Sequence, residues 1–156
     1  LGVGTANTAS NVLDDYEEGT WTAQISDGSA NATMASGSST GWYTKVGRNV
    51  SIGGYFHTSS KGSMTSTSSI RITGLPFAIA SASGNQDYTG MGNGGFVSGM
   101  ANSDLAKFPI GFYTEKGQTY LVGSLQDGGS NGSTTLLVSE IADNFAIMVG
   151  GTYKVA

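Results

Sequence analysis

Asn49-Val50-Ser51-Ile52-Gly53-Gly54-Tyr55-Phe56-His57-Thr58 is the stretch that decides the fold class. Val50, Ile52, Gly54 and Phe56 fall on one side of an extended chain, and Asn49, Ser51, Gly53, Tyr55 and His57 on the other. Successive side chains of a strand point to opposite faces, so this period of two marks a strand with one face in a core. Just upstream, Gly41 to Gly47 (GWYTKVG) reads as a short strand and turn leading into it.

The same period recurs outward in both directions. Trp21, Ala23 and Ile25 alternate with Thr20, Thr22, Gln24 and Ser26. Ile70 and Ile72 alternate within Ser69 to Gly74, and Pro76 then argues against an internal ladder position. Phe145, Ile147, Val149, Gly151, Tyr153 and Val155 alternate strictly in the last strand. Lys107 to Gly117 and Gln118 to Gln126 read as a hairpin turning at Glu115 to Gly117. Phe96 to Met100 and Leu136 to Ile141 read as further strands, and Thr33 to Ala35 as a weak one within the turn-rich Asp27 to Thr40. Asp14 to Trp21 (DDYEEGTW) is the one charge cluster, with a turn expected at Gly19. Ser81 to Gly95 shows no apolar period and reads as a long exposed loop. Ser103 to Phe108 is helix-like for one turn at best. Roughly eight to ten short strands with turn signals between them predict an all-β fold, an antiparallel β-sandwich of jelly-roll type.

Composition agrees. Charged residues are 12% of the 156 and glycine supplies 25, against about 25% charge in an ordinary domain. Gly, Ser and Thr disfavour long helices and suit short strands with tight turns. Hydrophobic residues at 38%, aromatics at 10% and their patterned runs argue against a disordered linker. The length fits one domain, and no cysteine is present for disulfides or thiolate metal sites. The net charge is −4, and the seven Lys and Arg are scattered singly. A nucleic-acid footprint is therefore missing. No apolar run approaches the ~20 residues that a membrane-spanning helix needs. The start, LGVGTANTAS, lacks a signal peptide's regions and a Met, so the chain reads as a fragment preceded by more protein. Residues 1–19 are expected to be an entry or linker segment, and 20–156 a single sandwich domain.

Four motifs, in order, resemble a recurring module of phage and prophage tail-fibre and virion-appendage proteins. They are VLDDYEEGTWT (Val12 to Thr22), GWYTKVGRNVSIGGYF (Gly41 to Phe56), ITGLPF (Ile72 to Phe77) and the ending GTYKV (Gly151 to Val155). The resemblance covers most of the chain, is weakest from Ser81 to Asn102, and points to the C-terminal domain of a tail fibre. It implies a virion location, a homotrimer and attachment to a host surface. It hands over no catalytic set and no cofactor. Independently, a β domain with few charges has little protection against edge-to-edge pairing, and a closed symmetric assembly would hide its edges.

Candidate sites each carry a plainer alternative. Asp14, Asp15, Glu17 and Glu18 offer clustered oxygens to a hard cation, but without EF-hand spacing, and a solvated turn explains them as well. Asp127, in Asp127 to Ser133 (DGGSNGS), fits an ordinary turn. His57 is the one histidine, and its FHTSSKG surroundings hold no nucleophile elbow; a shared axial metal or a plain strand-end role remain for it. No metal site is expected. Gly90 to Gly95 (GMGNGG) lacks the Lys-Ser/Thr and βαβ context of a phosphate loop. Trp21, Trp42, Tyr43 and Phe56 are expected in the core or between chains. Asp87, Asp104, Glu115, Asp127, Glu140 and Asp143 are the carboxylates from which glycoside cleavage would draw a pair.

Asn85, Gln86, Asp87, Tyr88 and Asn93 place an aromatic platform among amides and a carboxylate in one loop, the chemistry of sugar recognition. They are the expected receptor contacts. The expected function is a non-enzymatic fibre-tip domain that binds a bacterial surface glycan or outer-membrane component. A purely structural capping or decoration domain, a polysaccharide depolymerase and a secreted lectin are the competing readings.

Overall fold

The computed structural model of the chain describes residues 15–81, 90–91, 95–101, 107–129 and 132–156. It is an all-β sandwich of two antiparallel sheets. The first sheet runs in the order β1 (Tyr16–Thr22), β4 (Thr40–Val46), β5 (Asn49–Ser60), β12 (Ile141–Lys154), β8 (Val97–Met100), with β3 (Thr33–Met34) also on β5. The second runs β2 (Gln24–Ser26), β6 (Arg71–Thr73), β10 (Tyr120–Asp127), β9 (Lys107–Thr114), β7 (Gly90–Met91), with β11 (Ser133–Thr135) also on β10.

The long β5–β12 pair is the spine. Its register sets Phe56 opposite Ile147, Ile52 opposite Gly151 and Val50 opposite Tyr153. The inner residues of both strands meet Leu121 and Leu125 of β10, Ile72 of β6 and Ile25 of β2 in one core. Trp21 packs edge-on to Phe56 with ring centroids 5.3 Å apart. Tyr153 is buried, and its hydroxyl donates to the Phe77 carbonyl at 3.1 Å. Burial pushes its phenol up to about 12. Two polar positions inside the sandwich are satisfied locally or across it. Thr58 Oγ1 donates to the Asp143 carbonyl at 2.6 Å, and Asp27 is held at one end of the sandwich by backbone amides.

The Trp21–Ala23–Ile25 alternation is real, and it crosses between the sheets. Trp21 belongs to β1 in the first sheet and Ile25 to β2 in the second. Ala23 at the crossing is fully buried, and its N–H donates to the Ser39 carbonyl at 2.7 Å.

The structure departs from five expectations. Gly19 is no turn but an interior residue of β1, opposite Tyr43. A Cβ there would lie 3.0 Å from the Tyr43 ring, so the glycine makes room for that ring. β1 starts at Tyr16, inside the expected linker 1–19, and as an edge strand it carries Glu17 and Glu18, the charges that blunt an exposed edge. The expected strand Leu136 to Ile141 is instead two residues after β11, a 3-10 turn at Val138–Glu140 and the first residue of β12. The Glu140 carboxylate accepts the Leu137 N–H at 2.8 Å, which turns the chain, while Leu136, Val138 and Ile141 still bury. Within the expected exposed loop, Gly90 and Met91 pair with Tyr113 and Phe112. Met91 is buried over Gly151, where a Cβ would come within 2.7 Å of its Cγ. Of the helix-like stretch, Lys107 and Phe108 begin β9, and 103–106 lie outside the described residues.

Candidate functional site

The two outer faces of the sandwich differ in chemistry. Six of the seven large apolar side chains exposed among the described residues belong to the first sheet's side: Tyr16, Trp42, Val46, Tyr55, Phe96 and Met148. The register explains the grouping. Trp42 stands opposite Gly53, Gly53 opposite Gly150, and Tyr55 opposite Met148, all at outward positions. Trp42 lies across Gly53, where a Cβ would come within 2.5 Å of the indole, so the glycine seats the ring. Phe96 joins the patch 6.1 Å from Tyr55. A shallow groove between Trp42, Tyr55 and Met148 has a floor of Gly53 and Gly150. Glu18 and Lys154 are the charges on the outward positions of these strands, and both sit at the margin.

The outer face of the second sheet is polar and aromatic together. One row of paired residues crosses all five strands: Ser26, Arg71, Val122, Tyr113 and Gly90. The neighbouring row is Gln24, Thr73 and Tyr120. The Arg71 guanidinium lies over the Tyr120 ring, 4.5 Å from its centroid, and the Tyr120 hydroxyl donates to Glu115 at 2.6 Å. That bond to a carboxylate raises the phenol's pKa above its ordinary value. Beside Tyr113 a groove of about 410 Å³ is lined by Gly90, Gly111, Ser124 and Ser133.

The loop after β2 roofs Arg71. Asp27 Oδ1 accepts the Ser29 and Ala30 amides at 2.7 and 2.6 Å, and Oδ2 accepts the Thr65 amide at 2.6 Å. The Ala30 amide above all, then Thr65 and Ser29, hold this carboxyl below its ordinary pKa. The arrangement puts Gly28, at φ +91°, against Arg71, where a Cβ would lie 2.5 Å from Nη1. Asp27→Ala should therefore lower stability by about 2 kcal/mol at neutral pH, since three amides lose an ionised acceptor. A depressed folded pKa stabilises above the unfolded value of 3.8 and the gain is lost as pH falls through the lower folded value. The gap between wild type and variant in urea unfolding should accordingly narrow below that range; a gap unchanged down to pH 2 would refute the assignment.

The expected receptor residues Asn85, Gln86, Asp87, Tyr88 and Asn93 lie outside the described residues, as do Asp14 and Asp104. The rest of the acidic cluster does not converge. Asp15 pairs with Lys45 at 2.6 Å, Glu17 accepts the Tyr43 hydroxyl, and Glu18 accepts that of Tyr16. Among the described residues no group of three or more His, Asp or Glu is placed to hold a metal. His57 lies on the outward side of β5 beside Tyr55, with ring centroids 6.2 Å apart. Asp127 Oδ1 accepts the Gly129 amide in the expected turn. Its other oxygen and Glu140 share one lysine: Lys107 Nζ lies 3.6 Å from Asp127 and 3.3 Å from Glu140. The hydrogen bond it donates to Glu140, then the charge of Asp127, raise the Lys107 pKa. Trp21 and Phe56 are core as expected, whereas Trp42 is 54% exposed.

No family model matches the chain, and no curated protein matches it in sequence. Among solved structures, the Dettilon tailspike protein gp208 superposes on 89% of this chain with a TM-score of 0.68 at 17% identity. The fold is similar to that of part of this tailspike. The chain spans about a quarter of that tailspike, 24% of its length. That likeness is one of fold, a two-sheet antiparallel sandwich. Arg71 and Tyr120, which the tailspike-like fold stacks together, were not singled out by sequence; the signal available was an arginine at an outward strand position.

Proposed function

We propose that this domain forms the tip of a phage tail fibre or spike, and that it binds a bacterial surface glycan or protein without cleaving it. Three copies associate through the outer face of the first sheet, and the outer face of the second meets the host. The observation that carries this reading is the contrast between the faces. The first is broad, aromatic and nearly uncharged, the character of a surface buried between proteins. The second combines tyrosines, an arginine and hydroxyls around a groove, the mixture that grips a polar ligand. The phage-like motifs and the tailspike-like fold support a virion appendage as the setting for both faces.

Three shallow sites on one rigid trimer, repeated over several fibres, turn weak contacts into firm attachment. A binding rather than a cleaving role is supported by the carboxylates. Asp127 and Glu140, which the fold brings together, are both paired with Lys107, and Glu115 accepts the Tyr120 hydroxyl, so these candidate carboxylates are engaged within the fold. Pre-incubating host cells with the purified domain should reduce phage adsorption at least tenfold and release no new reducing ends from host polysaccharide. Unchanged adsorption would leave a structural role, and new reducing ends a depolymerase.

A further inference from the structure

We propose that Arg71 is the carboxylate-recognising element of a subsite for an acidic saccharide, a glycan bearing hexuronate residues. The inference rests on reading the second sheet's outer face as the receptor surface, and it names the ligand class of that face.

Arg71 is a half-buried cation whose polar partners are missing among the described residues. Its Nε is buried and meets no hydrogen-bond acceptor, and none of the salt bridges involves it. The acidic groups around it are engaged elsewhere. Asp27, next to the Gly28 that covers the guanidinium, is taken up by three backbone amides. Glu115 is taken up by the Tyr120 hydroxyl. Among the described residues the fold gives this guanidinium no carboxylate, so the part of the half-buried side chain that reaches solvent is left for an acceptor arriving from outside.

The setting selects the kind of acceptor. Tyr120 beneath and the Gly28 backbone beside it hold the guanidinium in place. A planar fork held this way matches the two oxygens of a carboxylate, a match lysine cannot reproduce. The surroundings select a sugar rather than a bare anion. Along the same row, two strands away and so roughly 10 Å off, Tyr113 flanks the groove of Gly90, Gly111, Ser124 and Ser133. Val122 lies between them in the same row. A saccharide lying along this row sets its carboxylate on Arg71 and a ring further along against Tyr113 and the two serines. The chain as a whole is acidic at −4, so long-range steering does not favour such a ligand, and recognition has to be local at Arg71.

The test uses the 156-residue chain and three kinds of probe in NMR titrations: oligogalacturonate, the same oligosaccharide with its carboxyls reduced to alcohols, and acetate or inorganic phosphate alone. Oligogalacturonate should shift the amide signals of Gly28, Arg71, Tyr120 and Tyr113. The reduced form and the small anions should bind at least tenfold more weakly. Arg71→Lys, which keeps the charge, should lose at least tenfold in affinity with thermal unfolding nearly unchanged. Equal binding of the reduced form, equal binding of acetate or phosphate, full affinity in Arg71→Lys, or no binding of oligogalacturonate would each overturn the subsite. Adsorption blocking separates this from the broader reading. If wild type blocks adsorption and Arg71→Lys blocks equally, the receptor face stands and the subsite falls. If oligogalacturonate binds at Arg71 but the domain blocks nothing, the receptor reading falls alone.

Discussion

Gly74→Ala is expected to lower the stability of the domain by about 3 kcal/mol. Gly74 ends β6 at φ +88°, a conformation that a Cβ disfavours by about 1–2 kcal/mol. A Cβ would also sit 2.3 Å from the Thr22 carbonyl oxygen. That oxygen belongs to backbone rather than to a side chain that could swing aside, and it lies where the chain passes from β1 to β2. Ala23 is pinned there to Ser39, and Leu75 is pinned to Thr119, by backbone hydrogen bonds. Relief therefore requires shifting one sheet against the other, with overpacking costs of about 1–3 kcal/mol. For a domain of this length the loss corresponds to a fall in Tm of roughly 10 °C. Gly47→Ala is the control. Gly47 is also left-handed, at φ +57°, but a Cβ there meets nothing within 4 Å, so it should lose only about 1 kcal/mol. Equal losses for the two variants in chemical unfolding would show that the contact with Thr22 contributes nothing.

The same corner shows what a period of two conveys. It states which side of the chain is buried, and for Asn49 to Thr58 and Phe145 to Val155 that was enough to find the two longest strands. It does not name the partner strand. Trp21 and Ile25 share one alternation yet lie in different sheets, because a sandwich buries the inner faces of both. The misread elements have physical causes of the same kind. Gly19 reads as a turn because its role is set by the Tyr43 ring, which is distant in sequence. Val138–Glu140 reads as strand because a 3-10 turn also buries alternate residues when its polar member folds back onto the backbone. A two-residue edge strand such as Gly90–Met91 is too short to show any period.

The faces were less legible than the strands. Adjacent Trp42 and Tyr43 in one strand must point to opposite sides, so one aromatic had to face outward; the identity of its seat, Gly53, needed the pairing of β4 with β5. Arg71 carries no motif at all. Its meaning comes from Tyr120 beneath it, from Gly28 above it, and from an Asp27 that spends its charge on the loop rather than on the arginine. Each of those is a tertiary fact. The expected sugar-binding loop, by contrast, was chosen on composition alone, and Asn85 to Asn93 contributes only Gly90 and Met91 to the described structure.

Met148→Glu is expected to convert the proposed trimer into monomers while leaving the protomer folded. Met148 is 41% exposed on the outward side of β12, beside Tyr55 and at the edge of the Trp42 groove. In an isolated protomer a glutamate there reaches water and should change stability by less than about 0.5 kcal/mol. Between copies it has no lysine or arginine close by on the facing surface, because the outward positions of these strands offer Lys154 only at the far margin, and the one other basic side chain there is the imidazole of His57 beside Tyr55. An unpaired carboxylate buried at an interface costs about 3–5 kcal/mol, a loss of at least a hundredfold in association for each contact. The face is large enough to matter. Five strands at about 4.8 Å by about six residues at 3.3 Å span roughly 500 Å² in projection, the same order as the ~800 Å² of accessible surface that each partner gives to a stable interface. Its near-absence of charge is also what identical chains need when they meet around an axis, since any like charge would face its own copy. Phe108→Glu supplies the comparison, because Phe108 is, among the described residues, the one large apolar side chain exposed on the second sheet, at 57%. Light scattering should show three protomers for wild type and for Phe108→Glu, and one for Met148→Glu. A wild-type chain that is already monomeric would remove the first sheet's face as the assembly surface. Dissociation by Phe108→Glu alone would move the interface to the opposite sheet, and would take the receptor face with it.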